Sequence, residues 1–233
     1  MSIEMRLRAA RVRYGPLEAL HGIDLPVPAA ALTVLLGRNG SGRTTVLRAL
    51  AGAVPLSAGR VLWRGADVTR LRAHDRARRG LCFVPDRGAV YPGLTVAENL
   101  GLAAPHSPAA PALVAYPELR PLLDRRAGTL SGGERRMLAL SRVVLSGARV
   151  VLVDEPALGL SPPVAARTYT LLAELAGTVA VVVAEQRLPP GLRPGTLVHE
   201  LRRGALAFSG QAAELTPEGT ASSPGGSGSD RPR

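Results

Sequence analysis

The chain has 233 residues and a net charge of +11, and all 29 of its cationic side chains are arginine. That length can bury a proper core in one large domain, with or without a lobe, while a single cysteine excludes an internal disulfide and fits a reducing compartment. Aromatic residues are only 3% of the chain and the arginines are spread along it, so neither stacking platforms nor a nucleic-acid partner is expected. The start, MSIEMRLRAARVRYG, lacks the apolar centre of a signal peptide, and no apolar run is long enough to span a bilayer. The expected location is the cytoplasm, or a membrane to which something else holds the chain.

Met5–Tyr14 and Gly22–Val27 read as two short strands turning at Gly15-Pro16. The apolar run Leu32–Leu36 then leads into Gly37-Arg38-Asn39-Gly40-Ser41-Gly42-Arg43-Thr44. After Thr45, Val46, Leu47 and Leu50 recur at helical spacing. A strand follows between Gly59 and Gly65, a helix over Leu71–Arg79 and a strand over Leu81–Val84 running into Pro85-Asp86-Arg87-Gly88. The cluster Arg76, Arg78 and Arg79 reads as a solvated helix face, and Cys82 as a small packed hydrophobe. Thr95-Val96-Ala97-Glu98 predicts a capping box. Prolines then punctuate short helical pieces up to Leu130, which suggests an inserted helical lobe over about 95–145.

Leu130-Ser131-Gly132-Gly133-Glu134 opens a helix with Met137, Leu140 and Val144 on one face. Val150–Val153 is a buried strand ending in Asp154-Glu155, Pro163–Leu175 a helix, and Val179–Val183 an apolar strand ending in Glu185-Gln186. Leu197–Leu201 and Ala205–Phe208 form a hairpin, and the Gly/Ser/Pro-rich stretch 216–233 is expected to be disordered. Strands alternating with helices predict an α/β fold with a largely parallel central sheet and an antiparallel sheet at the start. Trp63 is expected to pack on the strand pair or to lie partly exposed. His21, His74, His106 and His199 lack metal-ligand spacing and read as surface or turn residues.

Gly37–Thr44 follows the frame G-x-x-x-x-G-K-[ST] with Arg43 in place of the lysine. Its glycines let successive N–H groups converge on an anion, and the helix start adds free donors. Thr44 puts a hydroxyl where Mg²⁺ is usually bound. Lysine is a compact ammonium and arginine a wide planar fork, so the swap predicts tolerated nucleotide and slowed chemistry. An ordinary glycine-rich strand–helix turn is the alternative. Asp154 closes a strand at the edge where open α/β sheets bind ligands, and can hold Mg²⁺, while Glu155 can polarise an attacking water. The pair could instead cap the turn before Pro156. Tyr14 is either a strand-end tyrosine or a ring for adenine to stack on.

The phosphate loop, the Asp86 loop, the LSGGE pentad, the Asp154-Glu155 strand end and Gln186 occur in the order of the ATP-binding cassette ATPases, and the resemblance covers about residues 1–215. It implies a P-loop cassette that binds ATP and Mg²⁺ through Tyr14, Gly37, Arg38, Asn39, Gly40, Ser41, Gly42, Arg43, Thr44 and Thr45. Thr44, Asp86 and Asp154 would serve the metal, and Glu155, Gln186 and Arg43 the chemistry. Leu130–Glu134 (LSGGE) would be lent to the phosphate loop of a second cassette. LLGRNGSG, ARRGLCFVP, GLTVAENL, LSGGERRMLAL and VDEPALGLSP resemble the ATP-binding subunits of importers for branched-chain amino acids, amides and urea. That likeness implies an unlike partner ATPase, transmembrane permeases contacted by the lobe and the Asp86 loop, an extracytoplasmic binding protein and a place on the cytoplasmic face of the membrane.

Arg43, Asp86, Ser161 and Gln186 depart from the family pattern, and Pro189, Pro190 and Pro194 break the helix expected after Gln186. The altered residues Arg43, Asp86 and Gln186 belong to the chain's own site, while the pentad is intact. This predicts a slow site here and a competent one on the partner. A nucleotide-gated subunit with negligible hydrolysis is the competing reading, and a DNA- or ribosome-associated cassette a remote one.

Overall fold

The computed structural model describes residues 2–103, 108–189, 191–193 and 195–215. The stretch 216–233, His106, Pro190 and Pro194 lie outside the described residues. In chain order the elements are β1 (Ile3–Tyr14), β2 (Leu17–Pro28), β3 (Leu32–Leu36), α1 (Arg43–Ala51), β4 (Ala58–Trp63), β5 (Ala66–Asp67), α2 (Ala73–Arg78) and β6 (Leu81–Val84). Then come α3 (Val96–Ala103), α4 (Ala110–Ala115), short 3₁₀ turns over Pro117–Leu122 and Ala127–Thr129, α5 (Gly132–Leu145), β7 (Val150–Asp154), α6 (Pro162–Leu175), β8 (Ala180–Glu185), β9 (Leu197–Arg202) and β10 (Ala205–Gln211).

The strands form two sheets. One is antiparallel, in the order β2-β1-β4-β5; the other is β10-β9-β3-β8-β7-β6, parallel from β9 to β6. Period-two alternation sorts their side chains. In β1, Met5, Leu7, Ala10 and Val12 are buried, while Arg6, Arg8, Arg11 and Arg13 face out, with a register break between Leu7 and Ala10. Leu35, Leu152 and Val182 join that inner face and α1 in one core, and Val34, Val151, Val153, Val181 and Val183 point the other way, onto α5 and its neighbours. A nine-residue helix such as α1 is marginal alone. Burying Val46, Leu47 and Leu50, each worth about 1.5–3 kcal/mol, is what holds it between the sheets.

The Thr95 capping box forms as read: Glu98 N–H donates to Thr95 Oγ1 at 3.1 Å and Thr95 N–H to Glu98 Oε2 at 2.7 Å. Residues 187–189 and 191–193 carry no helix, as the prolines predict. Trp63 is buried, its indole N–H donating to Glu4 Oε1 at 2.9 Å. Among the described residues, no helix is long and apolar enough to cross a membrane.

Two expectations are overturned. His199 is not a surface histidine: it is 1% exposed on β9, its Nδ1 2.9 Å from Ser209 Oγ, and burial pulls its pKa down. Arg76 is not on a solvated face either. It is 1% exposed and donates to the carbonyls of Ala49 and Leu50 at 2.8 and 2.6 Å, of Val68 and Thr69 at 2.8 and 3.3 Å, and of Leu71 at 3.1 Å. Desolvation pulls its pKa down to about 10, a penalty on the buried charge that its carbonyl acceptors offset only in part. Arg76→Met keeps the bulk and strands those carbonyls. It should cost about 3 kcal/mol, a fall of roughly 6–12 °C in Tm, read by thermal or urea unfolding.

Candidate nucleotide site

Strands β3, β8, β7 and β6 run in one direction, so their carboxyl ends share an edge. Leu36 lies opposite Glu185 and Asp154 opposite Ala184. The register therefore sets the loop after Leu36 beside Gln186, Glu155 and the turn into Asp86, where open α/β sheets take ligands.

Gly37 leaves β3 in a space only glycine fits: a Cβ there would lie 2.5 Å from Ser41 Oγ and 2.6 Å from the Leu201 carbonyl oxygen. Gly42 begins α1 at φ +106°, and no side chain caps the helix. Its first N–H groups are thus left as anion donors, with no acidic residue in the first turn to compete. Arg38, Asn39 and Gly40 are exposed, Thr44 is half-buried, and Thr45 packs inward. Leu20 of β2 lies against Gly42, and Tyr14, 42% exposed, ends the neighbouring strand.

Buried polar atoms without partners mark the cradle: Ser41 Oγ, Arg43 Nη1 and Asp154 Oδ2, in residues 5%, 5% and 1% exposed. Orphaned groups of this kind are costly in a closed protein and fit a phosphate-and-cation ligand. Burial pushes the Asp154 carboxyl above its usual range, the Thr44 hydroxyl opposing this, and Asp86 adds a like charge nearby. Among the described residues, no cluster of three acidic, His or Cys side chains could hold a metal by itself. A cation here would need phosphate oxygens as well.

Arg43 does not point only at the loop. Its Nη2 donates to Glu155 Oε1 at 3.1 Å and to Asn39 Oδ1 at 3.4 Å, and Gln186 Nε2 donates to the same Oε1 at 3.0 Å. Arg43, Glu155 and Gln186 thus form one cluster, with Glu155 in the left-handed region at φ +47°. Ser161, read as a departure, stands at the N-cap position of α6 without a side-chain hydrogen bond to the helix, and the exposed Arg87 lies 3.9 Å from Asp86.

Two neighbours have no role that the sequence assigns: Tyr169 lies outside every motif, and Arg136 lies within LSGGERRMLAL but beyond the pentad. Tyr169 on α6 donates a hydrogen bond to the half-buried Glu185, whose carboxyl is pushed up by desolvation. Arg136 on α5, 5% exposed, donates to the carbonyls of Pro85 at 2.7 Å, Glu155 at 3.0 Å and Asp154. Burial pulls its pKa down, opposed by the charges of Asp154 and Asp86.

The pentad lies elsewhere. Leu130 is buried, whereas Ser131 and Gly132 are exposed at the start of α5. Ser131 and Glu134 cap each other, Glu134 N–H donating to Ser131 Oγ at 3.2 Å and Ser131 N–H to Glu134 Oε2 at 2.7 Å. Gly133 is pressed to the loop before α6; a Cβ on it would lie 2.9 Å from the Gly159 carbonyl oxygen.

A sequence profile of the ABC transporter family matches residues 20–158. The chain belongs to that family. It is an ABC ATPase, similar to a probable branched-chain amino acid transport ATP-binding protein, LivF, of Archaeoglobus fulgidus, at 34% identity over 87% of this chain and 89% of that protein. It is also similar to a high-affinity branched-chain amino acid transport ATP-binding protein, BraG, of Pseudomonas aeruginosa, at 30% identity over 87% and 90%. A nucleotide-free cassette from an ABC transporter shares the fold, with a TM-score of 0.77 and 24% identity over 91% of this chain and 92% of that one. The α/β cassette and the ATPase family read from the motifs are thus borne out.

Proposed function

We propose that this ABC ATPase powers an importer of branched-chain amino acids or a related amide or urea solute. It would pair with a second, unlike cassette beneath transmembrane permeases at the cytoplasmic face of the membrane, served indirectly by an extracytoplasmic binding protein. The names of the LivF and BraG relatives support the solute class. One observation carries the mechanism: orphaned polar atoms of the phosphate loop and of Asp154 converge with Glu155 at one sheet edge, while Ser131 and Gly132 stand exposed elsewhere.

In this reading the loop N–H groups and the uncapped start of α1 grip the β- and γ-phosphates, and Tyr14 stacks on adenine. Thr44 and Asp154 would hold Mg²⁺, with Asp86 beside them, and the ion would neutralise phosphate charge. A water oxygen attacks the γ-phosphorus, the bond to the ADP oxygen breaks, and the water's proton goes to Glu155. Gln186 donates to the γ-phosphate. Ser131, Gly132 and Gly133 offer their helix start to the nucleotide on the partner, so ATP closes the pair.

A second reading rests on Arg43. Its guanidinium holds one carboxylate oxygen of Glu155, the proposed proton acceptor, so the chain binds ATP and turns it over slowly while completing the partner's site. A lysine ammonium is compact and free to follow the phosphates. Arg43→Lys should raise kcat about tenfold, a barrier change of about 1.4 kcal/mol, with ATP affinity altered less than about threefold. Unchanged or lower turnover in a steady-state assay discards the slow-site reading and leaves the importer ATPase.

A further inference from the structure

We propose that Arg136 is a positioning residue for hydrolysis, locking the α5 helix to the backbone that aims Glu155. The inference rests on the reading of Glu155 as the proton acceptor. Arg136 lies one helical turn beyond Gly132 and Gly133, with its side chain directed inward. One guanidinium reaches the carbonyls of Pro85, Asp154, Glu155 and Pro156. Pro85 precedes Asp86, and the other three form the strand end and the turn after it. A single rigid fork therefore ties α5 to the ends of two strands, alongside the hydrogen bond from Arg142 to the Ala89 carbonyl and the packing of Gly133 on Gly159. The planar five-donor geometry of arginine suits this, and a lysine could serve only part of it.

The backbone of Glu155 is held against its preference. At φ +47° a residue with a Cβ is strained and stays there only when its surroundings fix it. Here its N–H donates to Ala184 O at 2.9 Å, and its carbonyl accepts from Leu158 N–H at 3.0 Å and from Arg136 Nη2 at 3.0 Å. Without the guanidinium one of these holds is lost, and the carboxylate can swing away from its place. Because Arg136 is anchored in the helix whose start is offered to the partner, any shift of α5 on closure is passed to Glu155 and to the Asp86 loop.

The test compares Arg136→Gln, Arg136→Lys and Arg136→Ala in the full chain, alone and combined with Glu155→Gln. The expected result is a kcat about tenfold lower for the glutamine and lysine variants and lower still for alanine, with the dissociation constant of a fluorescent ATP analogue within about twofold. Added guanidinium ion, at concentrations too low to unfold the protein, should restore part of the turnover of Arg136→Ala. In the Glu155→Gln background the Arg136 changes should add nothing, because the group they position is gone. If the variants lose only thermal stability, and folded protein turns over within twofold of native, Arg136 is merely structural and the proposal fails. Should alanine not fold, the lysine variant, which keeps the charge, decides alone. If Glu155→Gln itself leaves turnover intact, the reading of Glu155 falls; if it abolishes turnover and Arg136→Gln does not, only the positioning role falls.

Discussion

Glu155→Gln should lower single-turnover ATP hydrolysis by about two to four orders of magnitude, the usual worth of a positioned general base. The substitution is isosteric. The amide oxygen can still accept from Arg43 and Gln186, which now donate to Oε1 at 3.1 and 3.0 Å, so the local backbone has no reason to move. What disappears is the ability to take a proton from water and the charge that opposes Arg43. Arg43 is 5% exposed, and without its ion pair to Glu155 its buried charge keeps only the more remote carboxylates Asp154 and Glu185. The γ-phosphate of ATP supplies a new partner. Saturating ATP should therefore raise the Tm of the variant more than that of the native chain, since a ligand stabilises in proportion to how much better it binds the folded state. Size-exclusion chromatography of the variant mixed with its unlike partner cassette should show the two held as an ATP-bound pair. Hydrolysis within about threefold of native would remove Glu155 from the role of base and place proton transfer on another group.

How much of this is legible in the sequence follows from where the physics is local. The alternation Met5, Leu7 against Arg6, Arg8 and the helical spacing Val46, Leu47, Leu50 are properties of a few successive residues, so strand and helix faces could be read directly. The phosphate loop is local in its spacing and in the left-handed φ of Gly40 and Gly42, although the Leu201 carbonyl that crowds Gly37 and the Leu20 side chain against Gly42 come from distant strands. Arg76 and Arg136 were illegible for the opposite reason. An arginine is expected in water unless partners compensate its burial, and the compensating carbonyls come from residues distant in sequence, such as Ala49 and Asp154. His199 likewise became a core residue through the pairing of β9 beside β3, which no local pattern announces. The Arg43–Glu155 pair spans 112 positions. Its two halves were each visible as motif residues, but the contact between them depends on the order of strands β3, β8 and β7.

Gly132→Glu should abolish cooperation between subunits while sparing the chain's own nucleotide cradle. A Cβ at Gly132 meets nothing within 4 Å, so the fold has room for a side chain, unlike at Gly133, where the Gly159 carbonyl is in the way. The new carboxylate would lie at the N-terminus of α5, a position that stabilises an isolated helix. In a closed pair that same position is where the partner's γ-phosphate is proposed to rest, and two anions would then compete for one set of donors. Like charges forced together at an interface cost several kcal/mol. A penalty of about 3 kcal/mol corresponds to roughly a hundredfold loss in ATP-driven pairing with the unlike partner cassette. Light scattering would read that loss, steady-state turnover should fall in parallel, and binding of a fluorescent ATP analogue to the monomer should stay within about twofold. A variant that pairs and hydrolyses normally would separate the pentad from the partner's phosphate altogether. Loss of monomer nucleotide binding would put Ser131–Gly133 at the chain's own site instead. Either outcome breaks the shared clamp, because that clamp requires a helix start free of its own phosphate loop and open to another's.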